Sequence, residues 1–129
     1  MIVVDTSVLI DHLRGDDRAR TALSRALQDR ERLHASVMTK VEVLAGMRDE
    51  EEEGTRRLLE LFDWVPVTDP IAERAGELAR TYLPSHPGVD PVDYVIAATT
   101  DYLGAELWTR NSKHFPMFES LPDPYRRRA

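Results

Sequence analysis

The chain reads as a three-layer α/β/α domain on a central parallel sheet of four or five strands. Three observations predict it. Short β-branched or apolar runs recur at Ile2–Val4, Leu33–Val37, Trp64–Thr68 and Leu107–Trp108. Stretches with apolar residues at 3.6-residue spacing lie between them. Caps and stops punctuate those stretches, with Asp69-Pro70 and Asp90-Pro91 at two starts and Gly15 and Gly104 at two ends. Strands this short, alternating with helices, form parallel sheets covered on both faces.

The elements follow in order. Ile2-Val3-Val4 is a buried strand, and Thr6 or Ser7 caps a helix that stops at Gly15. Asp16 and Asp17 offer the next cap, and Ala19, Ala22, Leu23, Ala26 and Leu27 form one apolar helical face. Leu33 to Val37 is a strand, after which Thr39 opens a helix through Val41, Leu44, Ala45 and Met47. Beyond the acidic run Asp49 to Glu53, a helical stretch carries Leu58, Leu59 and Phe62. Trp64 to Thr68 is the third strand. Asp69-Pro70 caps a helix with proline at its first position, its buried face is Ile71, Ala75, Leu78, Ala79 and Tyr82, and Pro84 ends it. Ser85 to Val89 is loop. A last helix runs from Asp90-Pro91 through Val92, Val95, Ile96, Thr99 and Leu103 to Gly104. Leu107-Trp108 belongs to a fourth strand, and a weaker fifth lies near Phe118 to Leu121.

Composition bounds the function. The 129 residues suit a single domain, 1–129, able to bury about two-thirds of its surface. Cysteine is absent, which excludes disulfides, thiolate nucleophiles and cysteine-held metals. No apolar run nears the roughly 20 residues of a membrane span, and Met1 to Asp5 lacks the basic start of a signal peptide, so a cytoplasmic address is expected. The net charge of −6 argues against a free-standing nucleic-acid binder. The acidity is concentrated, however. Setting aside Asp49 to Glu53 and three acids of a candidate site leaves 15 acids against 17 basic residues. Arg14, Arg110, Lys113 and the Arg126 to Arg128 tail are candidates for holding phosphates.

In a parallel sheet, ligands gather at the carboxyl ends of the strands where strand order reverses. Asp5 follows the first strand, and Asn111 lies two residues beyond Thr109 at the end of the fourth. Glu42 is in the first turn of the helix after the second strand, and Asp93 in the first turn of the helix before the fourth. Each acid also has a local explanation. Asp5 could cap a helix, Glu42 could complete a capping box with Thr39, and Asp93 stands third after the Asp90 cap. Capping alone would not gather all three at one sheet edge. Three neighbouring carboxylates repel one another unless a divalent cation sits among them. Oxygen donors without a His or Cys cluster select magnesium, with manganese as the alternative. The implied chemistry is metal-assisted hydrolysis of a phosphodiester. Thr6 and Ser7 support the Asp5 region, Thr109 is placed to bind a phosphate or a metal-bound water, and Asp90 stands one turn before Asp93. Among the histidines, only His114 is near this crevice, while Trp64 and Trp108 are core residues.

Four blocks carry a family resemblance. Val3-Val4-Asp5-Thr6-Ser7, Val41-Glu42-Val43-Leu44-Ala45-Gly46, Asp93-Tyr94-Val95-Ile96-Ala97-Ala98-Thr99 and Thr109-Arg110-Asn111-Ser112-Lys113-His114-Phe115 resemble, in order, those of PIN-domain ribonucleases, above all the VapC toxins of bacterial toxin–antitoxin pairs. The resemblance implies a PIN-like fold and a magnesium-dependent endoribonuclease. It further implies a VapB-like antitoxin as partner and a homodimer or toxin–antitoxin hetero-oligomer. It places Asp5, Glu42 and Asp93 as the acidic triad and metal ligands, with Asn111 where many relatives carry aspartate and His114 in place of another frequent acid. Asn111 also admits an inactive PIN-fold binding module. From a different class, a receiver-like signalling domain would use Asp69 as phosphoacceptor and Lys113 as phosphate partner.

Overall fold

Six helices and four strands alternate through residues 1–125, the part of the chain that this computed structural model describes. They are β1 (Ile2–Val4), α1 (Thr6–Leu13), α2 (Asp17–Gln28), β2 (Leu33–Ser36), α3 (Val37–Ala45), α4 (Glu52–Leu59), β3 (Asp63–Val65), α5 (Asp69–Tyr82), α6 (Pro91–Leu103) and β4 (Glu106–Trp108). Single 3-10 turns occupy Asp49–Glu51 and Ser112–His114. Every pairing is parallel and the sheet order is β3-β2-β1-β4. Val3 faces His34 on one side and Leu107 on the other, and Ala35 pairs with Trp64.

The two faces of β1 seed two cores. Ile2 and Val4 point into one with Val8 and Leu9 of α1, Leu23 of α2, Val43 of α3 and Leu58 of α4. Val3 points into the other with Ile71 and Leu78 of α5, Tyr94, Ile96 and Ala97 of α6, Leu107 and Phe115. The side-chain period of two in a strand thus divides the helices into the outer layers of a three-layer stack. β2 and β3 extend the sheet to one side of β1 and β4 to the other, so strand order reverses beside β1. A crevice opens there above the carboxyl ends of β1 and β4.

Several boundaries differ from the sequence expectation, each for a local reason. Asp5, not Thr6 or Ser7, occupies the cap position of α1. Helix α3 starts at Val37 because the Ser36 side chain accepts the Met38 N–H at 3.1 Å. Thr39 is therefore a buried first-turn residue, and the expected capping box with Glu42 is not formed. β3 ends at Val65, before Pro66, which has no N–H for a ladder bond. Phe62 follows α4 in a turn, and Thr68 takes the cap position of α5, with Asp69 and Pro70 as its first two residues. Asp90 caps α6 as expected, accepting the N–H groups of Val92 and Asp93, and Gly104 ends it at a φ of 60° in the left-handed region. Among the described residues there is no fifth strand. Phe118 and Leu121 instead pack on the second core from irregular chain. The Arg126 to Arg128 tail lies outside the described residues.

Candidate active site

Asp5 leaves β1 at the floor of the crevice, 4% exposed. Its N–H donates to the Trp108 carbonyl at 2.8 Å, which ties the end of β1 to the end of β4. Its side chain makes no capping bond. Instead, Oδ2 accepts from Ser7 Oγ and from Thr109 Oγ1, each at 2.8 Å. Both hydroxyls in turn accept backbone N–H groups, Ser7 from Arg110 at 3.0 Å and Thr109 from Asn111 at 2.9 Å. Two hydroxyls thus compensate a buried carboxylate and fix the segment after β4 beside it.

Glu42 projects from α3 on the same side. The Thr6 hydroxyl donates to Glu42 Oε1 at 2.6 Å and lies 3.1 Å from Thr39 Oγ1. One hydroxyl carries one proton, so Thr39 is the donor in that second contact. Asp93 stands in the first turn of α6, where its Oδ2 accepts the Asp90 N–H at 3.4 Å and lies 3.4 Å from His114 Nδ1. Asp90 and Asp93 form a reciprocal capping box, so Asp93 has the local structural role that Asp5 and Glu42 lack. Burial pushes the Asp93 carboxyl up to about 6, with the charges of Asp90 and, more weakly, Asp5 acting in the same direction. The Asp90 N–H and His114 oppose that rise. Asp93 is the acid of the cleft that burial and a like charge raise together.

A cleft of about 420 Å³ is lined by all four expected site residues, Asp5, Glu42, Asp93 and Asn111, together with Thr6, Ser7, Asp90 and His114. Thr109 lies buried beneath Asp5. Asp11, Arg14 and Arg110 also line it. Asp11 escaped the sequence reading, yet it stands four residues after Ser7 on α1, so helical spacing from Ser7 could have found it. Lys113 and Asp69 do not line the cleft. Asp69 opens α5 beyond β3, the far edge strand, which leaves a receiver-like arrangement without its phosphoacceptor at the site. A larger hollow of about 660 Å³ lies between α2 and the β4 edge, but its acids alternate with Arg18 and Arg25 around Ala22, Ala26 and Trp108. The crowded acids are in the smaller cleft.

Among the described residues, no three carboxylate or imidazole groups lie close enough to enclose a metal ion as they stand. The donor chemistry nevertheless fits a hard divalent cation. Carboxylate, amide and hydroxyl oxygens dominate the cleft, and Asp93 is raised first by burial and then by the neighbouring Asp90 charge, which a cation would offset.

A parallel α/β sandwich with acids converging where its strand order reverses is a recognisable class of domain. Residues 2–118 match the PIN domain family. Ribonuclease VapC10 of Mycobacterium tuberculosis is 46% identical over 97% of this chain and 93% of its own length. Ribonuclease VapC19 of the same organism is 42% identical over 97% of this chain and 100% of its own. A solved toxin–antitoxin complex from Klebsiella pneumoniae superposes with a TM-score of 0.78 at 30% identity, covering 97% of this chain and 98% of that one. The chain belongs to the PIN domain family, among its VapC-type members.

Proposed function

We propose that the chain is the toxin of a toxin–antitoxin pair, an endoribonuclease that hydrolyses RNA phosphodiester bonds with a divalent cation. Asp5, Asp93 and Glu42 would hold the cation, magnesium or manganese, with Asn111 and Asp90 adjoining. The observation that carries this is the convergence of three carboxylates, Asp5, Glu42 and Asp93, in one cleft. Kinship with proteins named ribonucleases, and with a protein solved in a toxin–antitoxin complex, supports the reaction and a VapB-like antitoxin as partner.

Such an ion lowers the pKa of an attacking water and stabilises charge on the phosphodiester oxygens. The chain's own residues set the geometry. Ser7 and Thr109 hold one Asp5 oxygen in place and leave the other for the cleft. Thr6 fixes Glu42, and the Asp90 N–H orients Asp93. Asn111 contributes an amide, which can hydrogen-bond substrate or water but adds no charge.

The test is cleavage of single-stranded RNA by the purified chain with magnesium. Asp5→Asn and Asp93→Asn are each expected to slow it roughly 10²-fold or more, and EDTA to abolish it. Undiminished cleavage in both variants would overturn the assignment. RNA binding by the wild-type chain without any cutting would instead favour the inactive module that Asn111 admits.

A further inference from the structure

The last described residues return to α1 at the cleft. Tyr125 is 7% exposed, and its hydroxyl donates to Asp11 Oδ2 at 2.5 Å. The Arg110 guanidinium lies over the Tyr125 ring, 4.4 Å from its centroid. Arg110 Nη1 donates to the Tyr125 carbonyl at 2.6 Å and to Asp123 Oδ1 at 3.2 Å. Burial pushes the Tyr125 phenol upward, and its bond to Asp11 adds to the rise, so the hydroxyl stays a donor throughout the working pH range. One residue thus holds the arginine by its carbonyl and its ring while occupying Asp11, a carboxylate of the same cleft.

Arg110 is fixed at both ends. Its N–H donates to Ser7 Oγ, which donates to Asp5. Its side chain is 13% exposed, and all of its hydrogen bonds use Nη1, so Nε and Nη2 make none among the described residues. A guanidinium anchored through one nitrogen, with the neighbouring pair of donors unused at a cleft wall, has the fork that takes a phosphate through two parallel bonds. We propose that Arg110 grips a backbone phosphate of the RNA strand beside Asp5, and that Tyr125 is the positioning residue that aims it. This rests on the ribonuclease assignment above.

The experiment is steady-state RNA cleavage by the full chain across substrate and salt concentrations. Arg110→Gln is expected to raise KM roughly tenfold, and to reduce the salt-dependence slope by about 0.7. Arg110→Lys should keep the slope but recover only part of the KM, because a point charge lacks the fork. Tyr125→Phe keeps the ring, loses the bond to Asp11, and should raise KM about threefold while kcat changes less than about twofold. In an Arg110→Gln background the same substitution should add nothing, since it acts through the arginine. An unchanged KM for Tyr125→Phe in a chain that cleaves RNA overturns the proposal alone, as does an equal rise in both backgrounds. A wild-type chain that leaves RNA intact overturns the ribonuclease assignment and this proposal together.

Discussion

The two walls of the cleft handle the same chemical problem in opposite ways. On the β1–α1 wall, Asp5 is almost wholly buried, and its charge is met by two hydroxyl donors at 2.8 Å. On the α6 wall, Asp93 has only the long Asp90 N–H contact and the His114 ring, both at 3.4 Å, and faces the charge of Asp90. Burial then prevails, and the carboxyl rises to about 6. The two acids thus differ in their supply of hydrogen-bond donors. One wall supplies its buried acid with donors, and the other leaves its acid short of them.

The largest test of this contrast falls on the β1–α1 wall. Thr109→Val preserves shape but strips one donor from Asp5 and the acceptor from the Asn111 N–H. The expected loss is about 2–3 kcal/mol of stability, because a buried charge is left under-solvated. For a chain of this size that lowers the unfolding midpoint by roughly 10 °C, readable by calorimetry. A loss no greater than that of an exposed substitution would show that the hydroxyls do not hold Asp5.

A smaller effect, of opposite sign, is expected on the α6 wall. A carboxyl raised in the folded state from 3.8 to about 6 contributes stability that is fully present below pH 4 and is lost as pH rises through 6. Charging Asp93 is therefore a cost at neutral pH. In EDTA at pH 7.5, Asp93→Asn should stabilise the chain by about 1–2 kcal/mol, a figure discounted for the partial solvation of the cleft. At pH 4.5 the gain should shrink to about a third, and below about pH 3.5 it should vanish. Magnesium should raise the midpoint of the wild type and not of the variant. A variant less stable than wild type at pH 7.5 in EDTA would mean that the Asp90–Asp93 capping box outweighs the repulsion.

The same contrast separates what was legible in the sequence from what was not. Strand ends, the Asp90-Pro91 cap and the Gly104 stop are local signals, and from them the cleft and its four oxygen-bearing residues could be placed. At the start of the helix after β2, Ser36 and Thr39 both offer cap hydroxyls, and the one nearer the strand takes the position. Pro66 ends β3 sooner than the apolar run through Val67 suggests. Tyr125 was invisible for a different reason. Its partner Asp11 is 114 residues away, and no periodicity or cap links them. Asp11 itself is tied to Ser7 by helical spacing, one turn along α1.

The smallest effect belongs to the link between the β1–α1 wall and α3. Thr6 joins them through its 2.6 Å bond to Glu42, in a solvent-accessible position where a hydrogen bond adds little to stability. Thr6→Val also removes the acceptor of the buried Thr39 hydroxyl and should cost about 1 kcal/mol in all. Its influence on the proposed RNA cleavage should be larger than that cost suggests. Glu42 is exposed, and without Thr6 its three side-chain torsions are restrained by no other hydrogen bond among the described residues. A roughly tenfold fall in kcat is expected, at the low end of the range for loss of a residue that orients a metal ligand, the role proposed for Glu42. Thr6→Ser retains the hydroxyl and should restore most of it. If Thr6→Val proved as damaging to stability as Thr109→Val, the distinction between a donor that holds a buried charge and one that only aims an exposed one would fail.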